Sequence, residues 1–228
     1  MKAFLSAFGP AVASYDTSQC RALGAQLFRA PVELRGNIGP ETLNSYLAAQ
    51  DKEMRPPVPE VLITGRSNVG KSSLINALVH SPIAKASKTP GRTQRLFFYS
   101  LSNRLLLVDP PGYGYAEAPE TVKQQWTLLY QHYLQRTKRG KVVVCLVHAQ
   151  HGVKIRDQMM FDFLESIGRP FLVVLTKSDK MKALPEQLNT VYTATKRYSR
   201  RLDAIHAVSA KETQGLELLR AAIVHYAL

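Results

Sequence analysis

Gly65-Arg66-Ser67-Asn68-Val69-Gly70-Lys71-Ser72 fits the pattern G-x-x-x-x-G-K-[ST], and its flanks supply the context that pattern requires. Ahead of it, Val61-Leu62-Ile63-Thr64 is a short, β-branched apolar run expected as a buried parallel strand. Behind it, Ser73-Leu74-Ile75-Asn76-Ala77-Leu78 has helical spacing and propensity. The glycines let the backbone curl so that its N–H groups and the helix N-terminus face an anion. Lys71 is placed to reach the β- and γ-phosphates of a nucleotide and the Ser72 hydroxyl to bind Mg²⁺. Gly65, Arg66, Ser67, Asn68, Val69, Gly70, Lys71, Ser72 and Ser73 are therefore the expected phosphate-side residues. The competing reading is a chance glycine-rich turn before a helix, and the full match in the right context weighs against it.

Outward from this loop, Ser87-Lys88-Thr89-Pro90-Gly91-Arg92-Thr93-Gln94 is polar and broken by Pro-Gly, the composition of a mobile loop. Leu96-Phe97-Phe98-Tyr99-Ser100-Leu101 and Leu105-Leu106-Leu107-Val108 flank Ser102-Asn103-Arg104, which predicts a β-hairpin. Its second strand runs into Asp109-Pro110-Pro111-Gly112-Tyr113-Gly114-Tyr115. An acidic residue at the C-terminal end of a buried strand, followed by a glycine turn, is where an open α/β sheet places metal and ligand groups. Further on, a helix over 120–136, a strand at 142–147, a helix over 156–167, a strand at 171–175, a strand at 205–208 and a helix over 216–226 are expected. Continuous apolar strands alternating with helices argue for a mostly parallel sheet of six strands with helices on both faces.

The first 57 residues read as an extension and linker ahead of a domain at 58–228. Residues 1–30 hold a single acid, Asp16, a composition that faintly suggests an organellar targeting segment, although only Arg21 and Arg29 supply arginine. A short helix is expected over 40–50, and Arg55-Pro56-Pro57-Val58-Pro59 reads as a stiff, extended connection. Cys20 and Cys145 are too few for a metal site and read as thiols in a reduced compartment. The six histidines show no ligand spacing, and no apolar run approaches the roughly 20 residues of a membrane span.

The formal charge of +13 is unevenly spread. Residues 1–60 hold six basic and six acidic side chains, so the remaining 24 basic and 11 acidic residues at 61–228 carry the whole excess. Such a domain suits a polyanion. The alternative is a well-solvated surface. Basic residues fall in three groups: Lys85, Lys88, Arg92 and Arg95; Arg136, Lys138, Arg139 and Lys141; and Lys196, Arg197, Arg200 and Arg201.

A phosphate loop alone leaves the base undetermined. Thr176-Lys177-Ser178-Asp179 follows the strand ending at Leu175, and an aspartate there can accept hydrogen bonds from guanine N1–H and its exocyclic amine. Adenine lacks that donor pair, and a buried carboxylate facing it would be left unpaired. Lys177 would lie along the base plane. Ser209-Ala210-Lys211 follows the strand ending at Val208, where a backbone N–H can meet the guanine carbonyl.

Together the loop 65–72, Thr89-Pro-Gly-Arg-Thr93-Gln94, Asp109-x-Pro-Gly-Tyr-Gly-Tyr115, Thr176-Lys-Ser-Asp179 and Ser209-Ala210 resemble the EngB (YihA/YsxC-type) family of ribosome-assembly GTPases over residues 58–228. Pro110 departs from the leucine usual there, and the long lead is closer in proportion to organellar members. The resemblance implies a Ras-like P-loop NTPase fold and slow GTP hydrolysis. It implies Mg²⁺ held by Ser72 and Thr93 directly and by Asp109 through water, with Lys71, Thr93 and Gly112 acting at the γ-phosphate. Tyr113 stands where many GTPases place a water-orienting glutamine, and Asn68 is a candidate K⁺ ligand. Implied partners are rRNA, the large ribosomal subunit precursor and other assembly factors, with a monomer off the ribosome and no membrane. The compartment expected is the mitochondrial matrix, with bacterial cytoplasm as the alternative. A switch acting on a protein, or a GTP-gated factor with little hydrolysis, are the competing functions.

Overall fold

Every residue of β2 (Glu60–Gly65) is buried, and the sheet is built outward from it. The computed structural model describes residues 15–52, 57–84, 95–113 and 120–228. In chain order these form α1 (Ser18–Arg29), β1 (Val32–Ile38), α2 (Pro40–Asp51), β2, α3 (Lys71–Val79), β3 (Leu96–Leu101), β4 (Leu105–Asp109), α4 (Glu120–Arg136), β5 (Gly140–His148), α5 (Ile155–Ser166), β6 (Phe171–Thr176), a 3₁₀ turn (Ser178–Lys180), α6 (Leu184–Thr195), β7 (Arg201–Val208) and α7 (Leu216–Ala227).

The strand order is β1-β3-β4-β2-β5-β6-β7. From β4 onward neighbours are parallel, whereas β3 runs antiparallel to both β1 and β4. Alternation along each parallel strand feeds two cores. Val61, Ile63, Val144 and Leu146 face one side with α1, α3 and α7, while Leu62, Val143, Cys145 and Val147 face the other with α2, α4, α5 and α6. The hairpin between β3 and β4 turns through Ser102 and Asn103, both at positive φ, with Arg104 N bonded to Leu101 O at 2.9 Å. Two successive left-handed residues match the twist of the flanking strands.

The sheet has seven strands, one more than the six expected. The extra strand, β1, comes from the stretch read as an extension, and it pairs with the outer edge of β3. Four of its seven residues are exposed, and its register shifts between Leu34 and Gly36, so it lacks the continuous apolar run of a central strand. In α1 the Thr17 hydroxyl caps the start by accepting from Cys20 N at 3.1 Å. This helix lies on α7. A Cβ on Gly24 would come within 3.1 Å of the Arg220 carbonyl carbon, so glycine sets how closely the two helices approach.

At the far end of β2 from the phosphate loop, the fully buried Glu60 carboxylate accepts from Tyr133 OH at 2.6 Å, Thr137 Oγ1 at 3.0 Å and the Tyr46 hydroxyl. A buried carboxylate is tolerable only when its lone pairs are filled in this way. The network joins α2, β2 and α4. Both cysteines are free, and no helix among the described residues is long and apolar enough to cross a membrane.

Candidate functional site

The carboxyl ends of β2, β4, β6 and β7 bring the expected site residues together. Between β2 and α3 the chain passes through Asn68 at φ 63° and Gly70 at φ 103°. The first intrahelical bond of α3 is Leu74 N to Gly70 O at 2.9 Å, so the N–H groups of Lys71, Ser72 and Ser73 precede the helical ladder and can serve an anion. A Cβ on Gly65 would lie 2.8 Å from Val69 Cγ1 and 2.9 Å from Leu146 Cβ. Only glycine permits the loop to turn against β5 there.

Lys71 is ion-paired with Asp109 at the end of β4, both side chains being largely enclosed. Burial pushes the Asp109 carboxyl upward, and the Lys71 ammonium and the Tyr99 hydroxyl pull it back. Gly112 packs on the loop itself. A Cβ there would meet Ser67 N at 3.2 Å and Gly65 O at 3.3 Å. Tyr113 forms an isolated parallel bridge with Arg66, through Ser67 N to Tyr113 O at 3.1 Å and Tyr113 N to Gly65 O at 3.2 Å. The turn after β4 is thus stitched to the phosphate loop.

On the base side lies a cleft of about 210 Å³ whose walls include Gly70, Ser73, Thr176, Lys177, Asp179, Ala210 and Lys211. Thr176 ties β6 to the loop by donating its buried hydroxyl to Val69 O at 2.6 Å. Lys177, at φ 57°, sends its amine to Asn68 O at 2.9 Å and passes over Gly70. Asp179, on the 3₁₀ turn, is exposed rather than buried, and it accepts from Ser209 Oγ at 2.6 Å, which holds its carboxyl below the usual range. The Ser209 N–H is taken by Gln214 O at 3.1 Å, so of the three residues 209–211 it is Ala210 and Lys211 that border the cleft. Thr93 lies outside the described residues, as do Lys85, Lys88, Arg92, Gly114 and Tyr115.

Two groups at the site were not anticipated from sequence. Asp157 of α5 is fully buried; its Oδ1 accepts from Tyr113 OH at 3.0 Å and its Oδ2 from Lys154 N at 2.9 Å, with Arg66 Nε 3.2 Å from Oδ2. Its position three residues after Lys154 gives it the helix-capping bond that sequence spacing can suggest. The reach to Tyr113 and Arg66 has no local signal. His148 ends β5, accepts from Gln150 N at 3.2 Å and stacks on His151 at 4.4 Å. Burial, with Lys177, His151, Lys180 and Arg66 nearby, lowers its pKa to about 4, so the ring is neutral at pH 7.

The basic groups are used unequally. Arg139 reaches toward Glu60 at 3.9 Å, and Arg201 is buried, donating to Thr195 O and Leu202 O at 3.2 Å each. Arg95 pairs with Glu41 and bonds Asn37. Arg136, Lys138, Lys141, Lys196, Arg197 and Arg200 remain on the surface, around the starts of β5 and β7 and so at the end of the sheet opposite the phosphate loop.

A parallel sheet with a glycine-curled loop at the end of β2, a carboxylate at the end of β4 and an aspartate–serine pair beside a base-sized cleft defines a P-loop GTPase. The family model described as 50S ribosome-binding GTPase matches residues 60–177. A probable GTP-binding protein EngB of Aquifex aeolicus (strain VF5) is 40% identical over 182 residues, covering 79% of this chain and 98% of that protein. Its counterpart in Rickettsia akari (strain Hartford) is 38% identical over 169 residues, covering 73% and 78%. The chain belongs to the EngB family of GTP-binding proteins. Among solved structures, a probable GTP-binding protein engB superposes with a TM-score of 0.60 at 25% identity, covering 73% of this chain and 98% of that one. Era in complex with MgGDPNP and a fragment of 16S ribosomal RNA shares the fold, with a TM-score of 0.58 at 24% identity over 75% of this chain and 57% of that one. The protein is a GTPase, of a family that binds guanine nucleotide, typically with Mg²⁺.

Proposed function

We propose that this GTPase is a nucleotide-controlled assembly factor of the large ribosomal subunit, meeting rRNA through its basic surface. The observation that carries this reading is the placement of charge: all of the net +13 falls in residues 61–228, the part that holds the nucleotide site. The family model's description as 50S ribosome-binding supports the same direction. Phosphate contacts from Arg136, Lys138, Lys141, Lys196, Arg197 and Arg200 would position the protein on RNA without reading its sequence. The reading takes it to be a monomer away from the ribosome.

The glycine positions and the oxygen-only donors of Ser72 and Asp109 fit a nucleotide with a hard divalent cation. Ser72 and Thr93 would hold Mg²⁺ directly and Asp109 through water, and the ion would supply positive charge to the nucleotide phosphates. Lys71 adds its ammonium to that charge, and the Gly112 N–H reports the γ-phosphate. Asp179 and Ser209 select guanine, with Ala210 and Lys211 bordering the base. The Tyr113 hydroxyl is committed to Asp157, so it is not available to orient water, and hydrolysis by the isolated protein is slow. Charge compensation then comes from K⁺ held near Asn68 or from the ribosomal particle. The same commitment of Tyr113 favours a second reading, a GTP-gated factor with little turnover.

The acid-poor first 30 residues favour the mitochondrial matrix as the compartment. Tyr15, Leu27 and Phe28 are core residues, so any segment removed on import ends ahead of Tyr15. The test is co-sedimentation of the protein with large-subunit precursors in GTP analogue, GDP or no nucleotide, followed by single-turnover hydrolysis on the particle in KCl and in NaCl. Binding is expected with the GTP analogue and to weaken with GDP, and turnover is expected to be faster in KCl. Binding indifferent to nucleotide and salt would remove the assembly reading, and equal rates in the two salts would remove K⁺.

A further inference from the structure

The residues on either side of the Arg66–Tyr113 bridge send their side chains to one carboxylate. Paired residues in a bridge project the same way, and here the Tyr113 hydroxyl reaches Asp157 Oδ1 at 3.0 Å while Arg66 Nε lies 3.2 Å from Oδ2. The carboxylate is itself pinned by Lys154 N at 2.9 Å on the first turn of α5 and is 0% exposed. A single bridge is a small contact, two main-chain bonds with no ladder continuing it, and it joins the loop that holds the β-phosphate to the turn that carries Gly112. Asp157 braces that contact from behind by gripping both partners.

We infer that Asp157 is a positioning residue for the GTPase reaction: by holding Tyr113 and Arg66 together it sets the Gly112 turn against the phosphate loop, and so governs how strongly the protein distinguishes GTP from GDP. Asp157 is enclosed behind the site and meets it only through these two residues. Three features separate this from ordinary core filling. The carboxylate is enclosed, which costs free energy unless its partners repay it. Both side-chain partners lie at the phosphate end of the site. Tyr113 could pack its ring without the hydroxyl bond, so the bond adds direction to the burial.

The consequence is selective. GDP would be held by the loop main chain, Lys71 and the base cleft, which Asp157 meets only through the Arg66 side chain, whereas the γ-phosphate would be met by the turn that Asp157 braces. Tyr113→Phe keeps the ring and removes only the bond; Asp157→Asn keeps an acceptor for Tyr113 but loses the charge facing Arg66. Both full-length variants are compared with the unaltered chain for affinity toward GDP and a non-hydrolysable GTP analogue with Mg²⁺, for single-turnover hydrolysis and for melting temperature. In Tyr113→Phe, GDP affinity should stay within about twofold while the GTP analogue weakens roughly tenfold and hydrolysis slows, as expected for loss of one charge-assisted hydrogen bond. Asp157→Asn should shift the GTP-to-GDP ratio in the same direction by a smaller factor.

A lowered melting temperature with an unchanged GTP-to-GDP ratio in either variant would overturn the inference and leave Asp157 a fold-stabilising residue. Equal weakening of both nucleotides would do the same. The readout is independent of the ribosome, so its outcome is separate from that of the assembly reading.

Discussion

His206 sits on β7 with its ring enclosed and its Nε2 3.3 Å from the Tyr15 hydroxyl. Burial lowers its pKa from 6.5 to about 4. In the unfolded chain the imidazole takes its proton near 6.5, so between those values the unfolded state binds more protons and stability falls on acidification. From pH 7 to pH 5 this group alone should cost about 2 kcal/mol. Urea unfolding of the unaltered chain and of His206→Gln checks it: the gap between them should narrow by that amount at pH 5. His148 titrates in the same window but is present in both, so it cancels. At this scale the sequence disclosed residues whose meaning is local. Gly65, Gly70 and Lys71 are legible because a loop's geometry is written in its own eight residues, and Asp109 and Asp179 because each follows an apolar strand. Asp157 and His206 were not legible, because what defines them is a partner brought from a distant part of the chain.

Among the elements, α1 and β1 have the most to show about what the sequence withheld. Phe28 is 0% exposed beneath α7, in a helix whose spacing in sequence was obscured by alanines and a glycine. Phe28→Ala should cost about 3–5 kcal/mol, the usual range for emptying a fully buried aromatic site. Equilibrium denaturation measures this, and a loss under about 1 kcal/mol would mean that α1 contributes little to the folded state. The β3–β4 hairpin, α2, α4, α5 and α7 were expected close to their observed bounds because each has a periodic pattern or a turn of its own. β1 was not expected because an edge strand, half exposed and broken at Gly36, needs only one paired side and leaves no continuous apolar run behind.

For the molecule as a whole, the sheet separates two chemistries. The nucleotide site occupies the carboxyl ends of the strands, and the surface cations around the starts of β5 and β7 occupy the other. If those cations meet RNA phosphates, Lys141→Gln and Lys196→Gln should each make the dependence of log affinity on log salt shallower by about one, with nucleotide affinity unchanged. Filter binding to rRNA across a salt series reads this, and an unchanged slope would remove these residues from the interface. The amount of charge was legible in the sequence, but its division was not: Arg139 and Arg201 counted as surface cations until the fold turned them inward. The contact between α1 and α7 also bears on how the protein is made. The first helix of the described chain rests on its last, so Leu27 and Phe28 leave the ribosome long before α7 exists to cover them. At about 5–20 residues per second that interval is roughly 10–40 s, and throughout it the nascent chain carries an apolar helix face that its final partner cannot yet cover.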